Sequence, residues 1–151
     1  MMHPSEVETP GLQRFLAAQA PVYEEVLDEL RQGKKLTHWM WFIFPQLADL
    51  GHSAIARKYG IFDLDEARNY LSHPVLGQRL RECFELVLSH PTMTAQAMFG
   101  DIDAIKLRSC ATLFLQASGG NSLFQVLLST FYDGVPDPLT LDLLSRYVRQ
   151  P

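Results

Sequence analysis

Cysteine is scarce in this sequence: Cys83 and Cys110 are the only two among 151 residues, too few to staple a disulfide scaffold. Each sits where apolar residues recur at helical spacing, and there a free thiol behaves as a small hydrophobe. Both are therefore expected reduced and unlinked, as in a reducing cytosol. Long apolar runs are missing as well. The longest, residues 39–45, is about a third of the roughly 20 residues needed to span a bilayer, which argues against a membrane anchor. The first ten residues carry Glu6 and Glu8 and lack the basic-then-apolar layout of an export signal. A cytoplasmic location follows as the expectation, with residues 1–10 a flexible N-terminus and 11–151 a single helical domain.

An excess of positive charge is also absent. Thirteen Lys and Arg against 17 Asp and Glu leave a formal charge of −4, without the broad basic field that non-specific nucleic-acid binders use. The chain has no P-loop, no Gly-x-Gly-x-x-Gly, no His-Glu-x-x-His, no Cys-x-x-Cys and no Gly-x-Ser-x-Gly. Its histidines, His3, His38, His52, His73 and His90, are too scattered to read as the three or four converging ligands of a metal site. No metal is expected, and no particular cofactor or protein partner is indicated.

What is present is the composition of a packed globule, 47% hydrophobic and 20% charged. A chain of this size buries roughly 68–70% of its unfolded surface in one domain. The apolar residues fall at helical rather than strand period, which predicts an all-α fold. Leu12, Phe15 and Leu16 open one stripe; Val22, Val26, Leu27 and Leu30 form a second that ends at Gly33. Asp63 stands three residues before Glu66, the spacing of a capping box, and predicts a helix over 64–72. After Pro74 the stripe Leu76, Leu80, Cys83, Phe84, Val87 and Leu88 is the clearest helix. Ile102, Ile105, Cys110, Leu113, Phe114 and Ala117 make another, closed by Gly119 and Gly120. Asn121 caps a helix through Phe124, Leu127, Leu128 and Phe131, and Asp137-Pro138 starts the last one. The repeated Leu-Ser-His-Pro at 71–74 and 88–91 fits histidines near helix C-termini, because a helix of about 16 residues between them would hold them about 24 Å apart.

Two segments mix aromatic or apolar residues with charge. Residues 35–46 hold both tryptophans, Trp39 and Trp41, with Lys35, His38 and Gln46, and read as a helix ending before Pro45. A core helix explains the aromatics; a surface on which a planar ring stacks and an anion is paired explains the mixture. Residues 101–109 carry Asp103, Lys106, Arg108 and Ser109, where Asp103 and Lys106 are spaced to pair on one helix face. The loop Gly119-Gly120-Asn121-Ser122 is read as a helix cap, with anion binding as the alternative.

These segments resemble a known family, the small bacterial and fungal proteins of domain of unknown function 1810. The resemblance rests on Lys-x-x-His-Trp-Met-Trp-Phe-Ile-Phe-Pro-Gln at 35–46, Lys-Leu-Arg-Ser at 106–109, Thr-Leu-Phe at 112–114, Phe124-Gln125, Phe-Tyr-Asp-Gly at 131–134 and residues 137–144, and it covers about residues 10–149. It implies a mainly helical fold and no established activity. Members are often labelled calpastatin, a name belonging to disordered protease inhibitors, whereas this composition is that of a globule.

The residues together suggest a cavity formed by 35–46 and 103–109 that takes a small, polar, anionic or nucleotide-like ligand. Lys35 and Arg108 would hold negative charge, Trp39 or Trp41 would stack, and Gln46, Lys106 and Ser109 are further candidate ligand-binding residues. If there is a reaction, His38 is the expected proton carrier and Asp103 its helper. His38 and Lys106 are expected to border one cavity. The alternative is a non-catalytic module whose aromatic patch binds a protein.

Overall fold

The computed structural model of this chain describes residues 4–149, with side chains described over 11–121 and 123–146. Its described residues form α1 (Pro4–Gln19), α2 (Tyr23–Gln32), α3 (Met40–Ile43), α4 (Ala54–Lys58), α5 (Leu64–Ser72), α6 (Leu76–Leu88), α7 (Ala95–Phe99), α8 (Asp101–Ala117), α9 (Ser122–Phe131) and α10 (Pro138–Arg149). Among them there is no strand. A lone parallel bridge pairs Leu47 with Ile61. Of the segment expected to be flexible, Met1, Met2 and His3 lie outside the described residues, and α1 already runs from Pro4.

α8 organises the molecule. Ala104, Leu107, Cys110, Ala111, Leu113 and Phe114 are all buried, so apolar residues ring most of its length, as befits a helix enclosed by others. It packs against α5, α7, α9 and α10, while α6 packs against α2, α5 and α9. Between these layers runs a chain of touching rings: Trp39, Phe44, Phe84, Phe124, Phe114, Tyr70, Phe15, Tyr59 and Phe42, with centroids 5.0–6.3 Å apart. Spacings in this range suit edge-on and tilted aromatic pairs and add to the burial of each ring. Cys83 and Cys110 are free thiols inside this core.

Helix ends follow local chemistry. Asp63 accepts from Glu66 N at 2.8 Å, and the Glu66 carboxylate reaches back to Phe62 N at 3.1 Å, one residue earlier than a strict capping box. Asn121 accepts from Leu123 N. The two repeated histidines do more than suit a dipole: His73 Nδ1 accepts from Val75 N and Leu76 N and so caps the start of α6, and His90 Nε2 bonds Leu30 O at 2.8 Å. They stand at opposite ends of α6.

The helix expected over 35–44 is a correction. Only residues 40–43 are helical. The cause is Glu29, a buried carboxylate on α2 that accepts from Leu36 N, Thr37 N, Thr37 Oγ1 and the Trp39 indole at 2.6–3.0 Å. The backbone donors Leu36 N and Thr37 N are thereby removed from any helical ladder, and Lys35 N is taken by Met98 O at 2.8 Å. Burial opposes the Glu29 charge, but the bonds from Thr37, Leu36 and Trp39 outweigh it and hold the carboxyl below its usual range.

Candidate functional site

Three pieces of chain meet at one face: the 46–52 stretch, the first half of α8, and the start of α10. The 46–52 stretch is held by the bridge, in which Ala48 N donates to Ile61 O at 2.8 Å and Ile61 N to Gln46 O at 2.9 Å. Gly60 makes this approach feasible, because a Cβ there would overlap the backbone of Ala48. The start of α10 is fixed by Asp137, whose Oδ2 accepts from Thr140 N, Thr140 Oγ1 and Ser109 Oγ. Arg108 secures the approach to α10 by donating to Val135 O and Pro136 O at 2.9 and 3.0 Å.

Between these pieces lies a cavity of about 250 Å³ lined by Gln46, Leu50, His52, Ile102, Ile105, Lys106, Ser109, Asp137 and Leu139. Its apolar lining is aliphatic, and its polar lining is Gln46, His52, Lys106, Ser109 and Asp137. That lysine lies over the Trp41 ring at 5.4 Å and 3.7 Å from Asp103. Asp103 is already engaged from its other oxygen by Lys35 at 3.0 Å, and the Lys35 side chain, 8% exposed, also donates to Thr37 O and covers Trp39. Two ammonium groups thus share one carboxylate, and the more exposed one faces the cavity. Asp137 adds a negative charge at the same wall, but three donors on one oxygen and the N-terminus of α10 already stabilise it.

The structure brings Gln46, Lys106 and Ser109 to this cavity, with Asp103 and Trp41 behind Lys106. It separates the others. Trp39 is 1% exposed, with its indole N–H bound to Glu29, so it offers a ligand no face; stacking on Trp39 is excluded by its burial. Arg108 is committed to two backbone carbonyls. Lys35 is an internal partner of Asp103. His38 is exposed and is not among the residues lining this cavity, and no hydrogen bond or ion pair links it to Asp103 among the described residues. The reason is the turn that Glu29 imposes, which leaves His38 off the helix that would have aligned it.

Sequence reasoning missed His52, Leu50 and Leu139, and took Ile102 and Ile105 for core. Those isoleucines are 72% and 65% exposed. Their exposure was legible in principle, since Ala104, Leu107, Ala111 and Phe114 make a better-spaced buried stripe on another side of the helix. His52 carried no such signal. Among the described residues, no three His, Cys, Asp or Glu side chains gather as metal ligands, and no helix is long and apolar enough to cross a membrane.

No curated protein matches the chain. A solved structure does: the conserved hypothetical protein Rv1873 from Mycobacterium tuberculosis, 48% identical, aligns with a TM-score of 0.87 over 89% of this chain and 96% of that one. Similarity at that level makes the helical architecture above a shared one. The family described as Protein of unknown function (DUF1810) matches residues 9–144, nearly all of the helical body, and the chain belongs to that family.

Proposed function

We propose that this protein binds a small anionic ligand in the cavity between the 46–52 stretch, α8 and α10, with Lys106 as the anion-pairing group. The observation that carries the reading is the shared carboxylate: Lys35 holds Asp103 at 3.0 Å while Lys106 stands off at 3.7 Å, facing the cavity. An ammonium with half a partner in an aliphatic pocket gains from an anion more than a solvated surface lysine does. Gln46 and His52 add hydrogen-bonding groups at the same wall. A nucleotide-like ligand has less support, because Trp39 is buried and one face of Trp41 is covered by Lys106.

Thermal shift against a panel of inorganic phosphate, nucleoside monophosphates and short carboxylates tests this. A ligand at about 100 times its Kd adds about 2.7 kcal/mol to stability. The reading expects a shift with at least one anion class and its loss in Lys106→Gln; a panel without any Lys106-dependent shift contradicts it.

The exposed Ile102, Ile105 and Leu139 favour a second reading, a non-catalytic module that binds a protein through this apolar rim. Under that reading Ile105→Asp abolishes partner capture while small anions leave the melting temperature unmoved.

A further inference from the structure

The cavity at Lys106 does not end at Leu139. A second cavity, of about 240 Å³, shares Leu50, His52 and Leu139 with it and continues to Leu143, with Asp49, Asp142 and Arg146 at its edges. The two make one trough along the start of α10. Its apolar surface is contributed by Leu50, Ile102, Ile105, Leu139 and Leu143, all aliphatic, while Lys106 stands at one end only. Asp142 and Arg146, at the far end, are paired with each other at 2.7 Å.

We infer, building on the function proposed above, that the ligand is an aliphatic carboxylate: a short unbranched chain whose carboxylate meets Lys106 and whose tail lies over Leu50 and Leu139 towards Leu143. Three features select this class. Lys106, 3.7 Å from Asp103 and, among the described residues, the one cation lining the cavity, matches one anionic head. The walls offer no open aromatic face, so a planar base or ring gains little. The exposure of Ile102, Ile105 and Leu139, at 72, 65 and 63%, leaves apolar surface at the mouth that a hydrocarbon chain covers better than a compact polar anion. The occupant is the free molecule rather than an acyl chain in a membrane, since a chain of net charge −4 is repelled by an anionic bilayer surface.

A homologous series reads this directly. Each methylene moved from water into the trough is worth about 0.8 kcal/mol, or about fourfold in affinity. Calorimetric titration with butyrate, hexanoate and octanoate, kept below micelle-forming concentrations, is expected to show affinity climbing by about that factor per methylene from butyrate to hexanoate. In Leu139→Asn, a change at an exposed position that leaves the melting temperature in place, the climb flattens; in Lys106→Gln every member weakens by a similar factor. Affinity independent of chain length, with binding still lost in Lys106→Gln, overturns the aliphatic ligand and leaves the anion site standing. A climb that persists unchanged in both variants shows non-specific adsorption and also overturns it. Absence of binding by every member, phosphate and nucleotides included, removes both readings. Co-sedimentation with phosphatidylglycerol vesicles, where the inference expects the protein to stay in solution, would move the ligand to the membrane and overturn the free-molecule assignment.

Discussion

Glu29 decides how the most distinctive stretch of this sequence folds. Four hydrogen bonds converge on its buried carboxylate, and bonds to charged acceptors are worth about 1.5–3 kcal/mol each when one partner is removed. Replacing the charge with an amide keeps the shape but loses charge assistance and sets one N–H against the donors, so Glu29→Gln is expected to cost about 2–4 kcal/mol at pH 7 by denaturant unfolding. The pH dependence has a definite sign. Because the folded carboxyl titrates below its unfolded value of about 4.3, its contribution is fully present above that pH and is lost as pH falls through the lower folded value. The gap between wild type and Glu29→Gln should therefore be widest at neutral pH and shrink in acid; a constant gap from pH 7 to pH 3 contradicts the assignment. The thiols give a second check. Burial pushes Cys83 up to about 12 and Cys110 well above the usual thiol range, so neither supplies thiolate at neutral pH. A thiol reagent is expected to titrate two groups after unfolding and none quickly before it. The thiols were legible from the helical spacing around them, whereas Glu29 reads as one more acid on an amphipathic helix, and only its proximity to residues 36–39 reveals it as a cap.

At the scale of elements, helix identity was legible and helix orientation was not. The capping signals at Asp63, Asn121 and Asp137 mark true helix starts, because a side-chain oxygen beside free backbone N–H groups is a local feature that tertiary structure need not override. The face of α8 was harder. The first half of that helix has apolar residues on more than one side, so its stripe could be drawn through Ile102 and Ile105 or through Ala104 and Leu107, and packing chose the second. Residues 34–39 failed for a third reason, since nonlocal donors and acceptors compete with the helical ladder there. The loop that walls the cavity depends on a glycine: Gly60→Ala is expected to cost about 1–3 kcal/mol by forcing Ala48 away, a fall of about 2–4 °C per kcal/mol at this chain length. Because Gln46, Leu50 and His52 ride on that loop, the same variant should also weaken anion binding. An unchanged melting temperature would show that the bridge between Leu47 and Ile61 yields without strain.

Across the whole molecule, a net negative chain presents one lysine, 3.7 Å from Asp103, at the head of an aliphatic trough. His38, for all its prominence in the sequence, is not among the residues lining that trough, and His38→Ala is expected to leave anion binding unaltered in calorimetric titration, where Lys106→Gln weakens it. The sequence has five isoleucines, and they are well placed to report occupancy: Ile102 and Ile105 at the mouth, Ile43 and Ile61 in the core, and Ile55 exposed on α4. Nuclear magnetic resonance of isoleucine methyl groups during titration with hexanoate is the most direct test. The account predicts saturable shifts at Ile102 and Ile105, little change at Ile43, Ile61 and Ile55, and loss of those shifts in Lys106→Gln; equal response at all five, or none at Ile102 and Ile105, would contradict it.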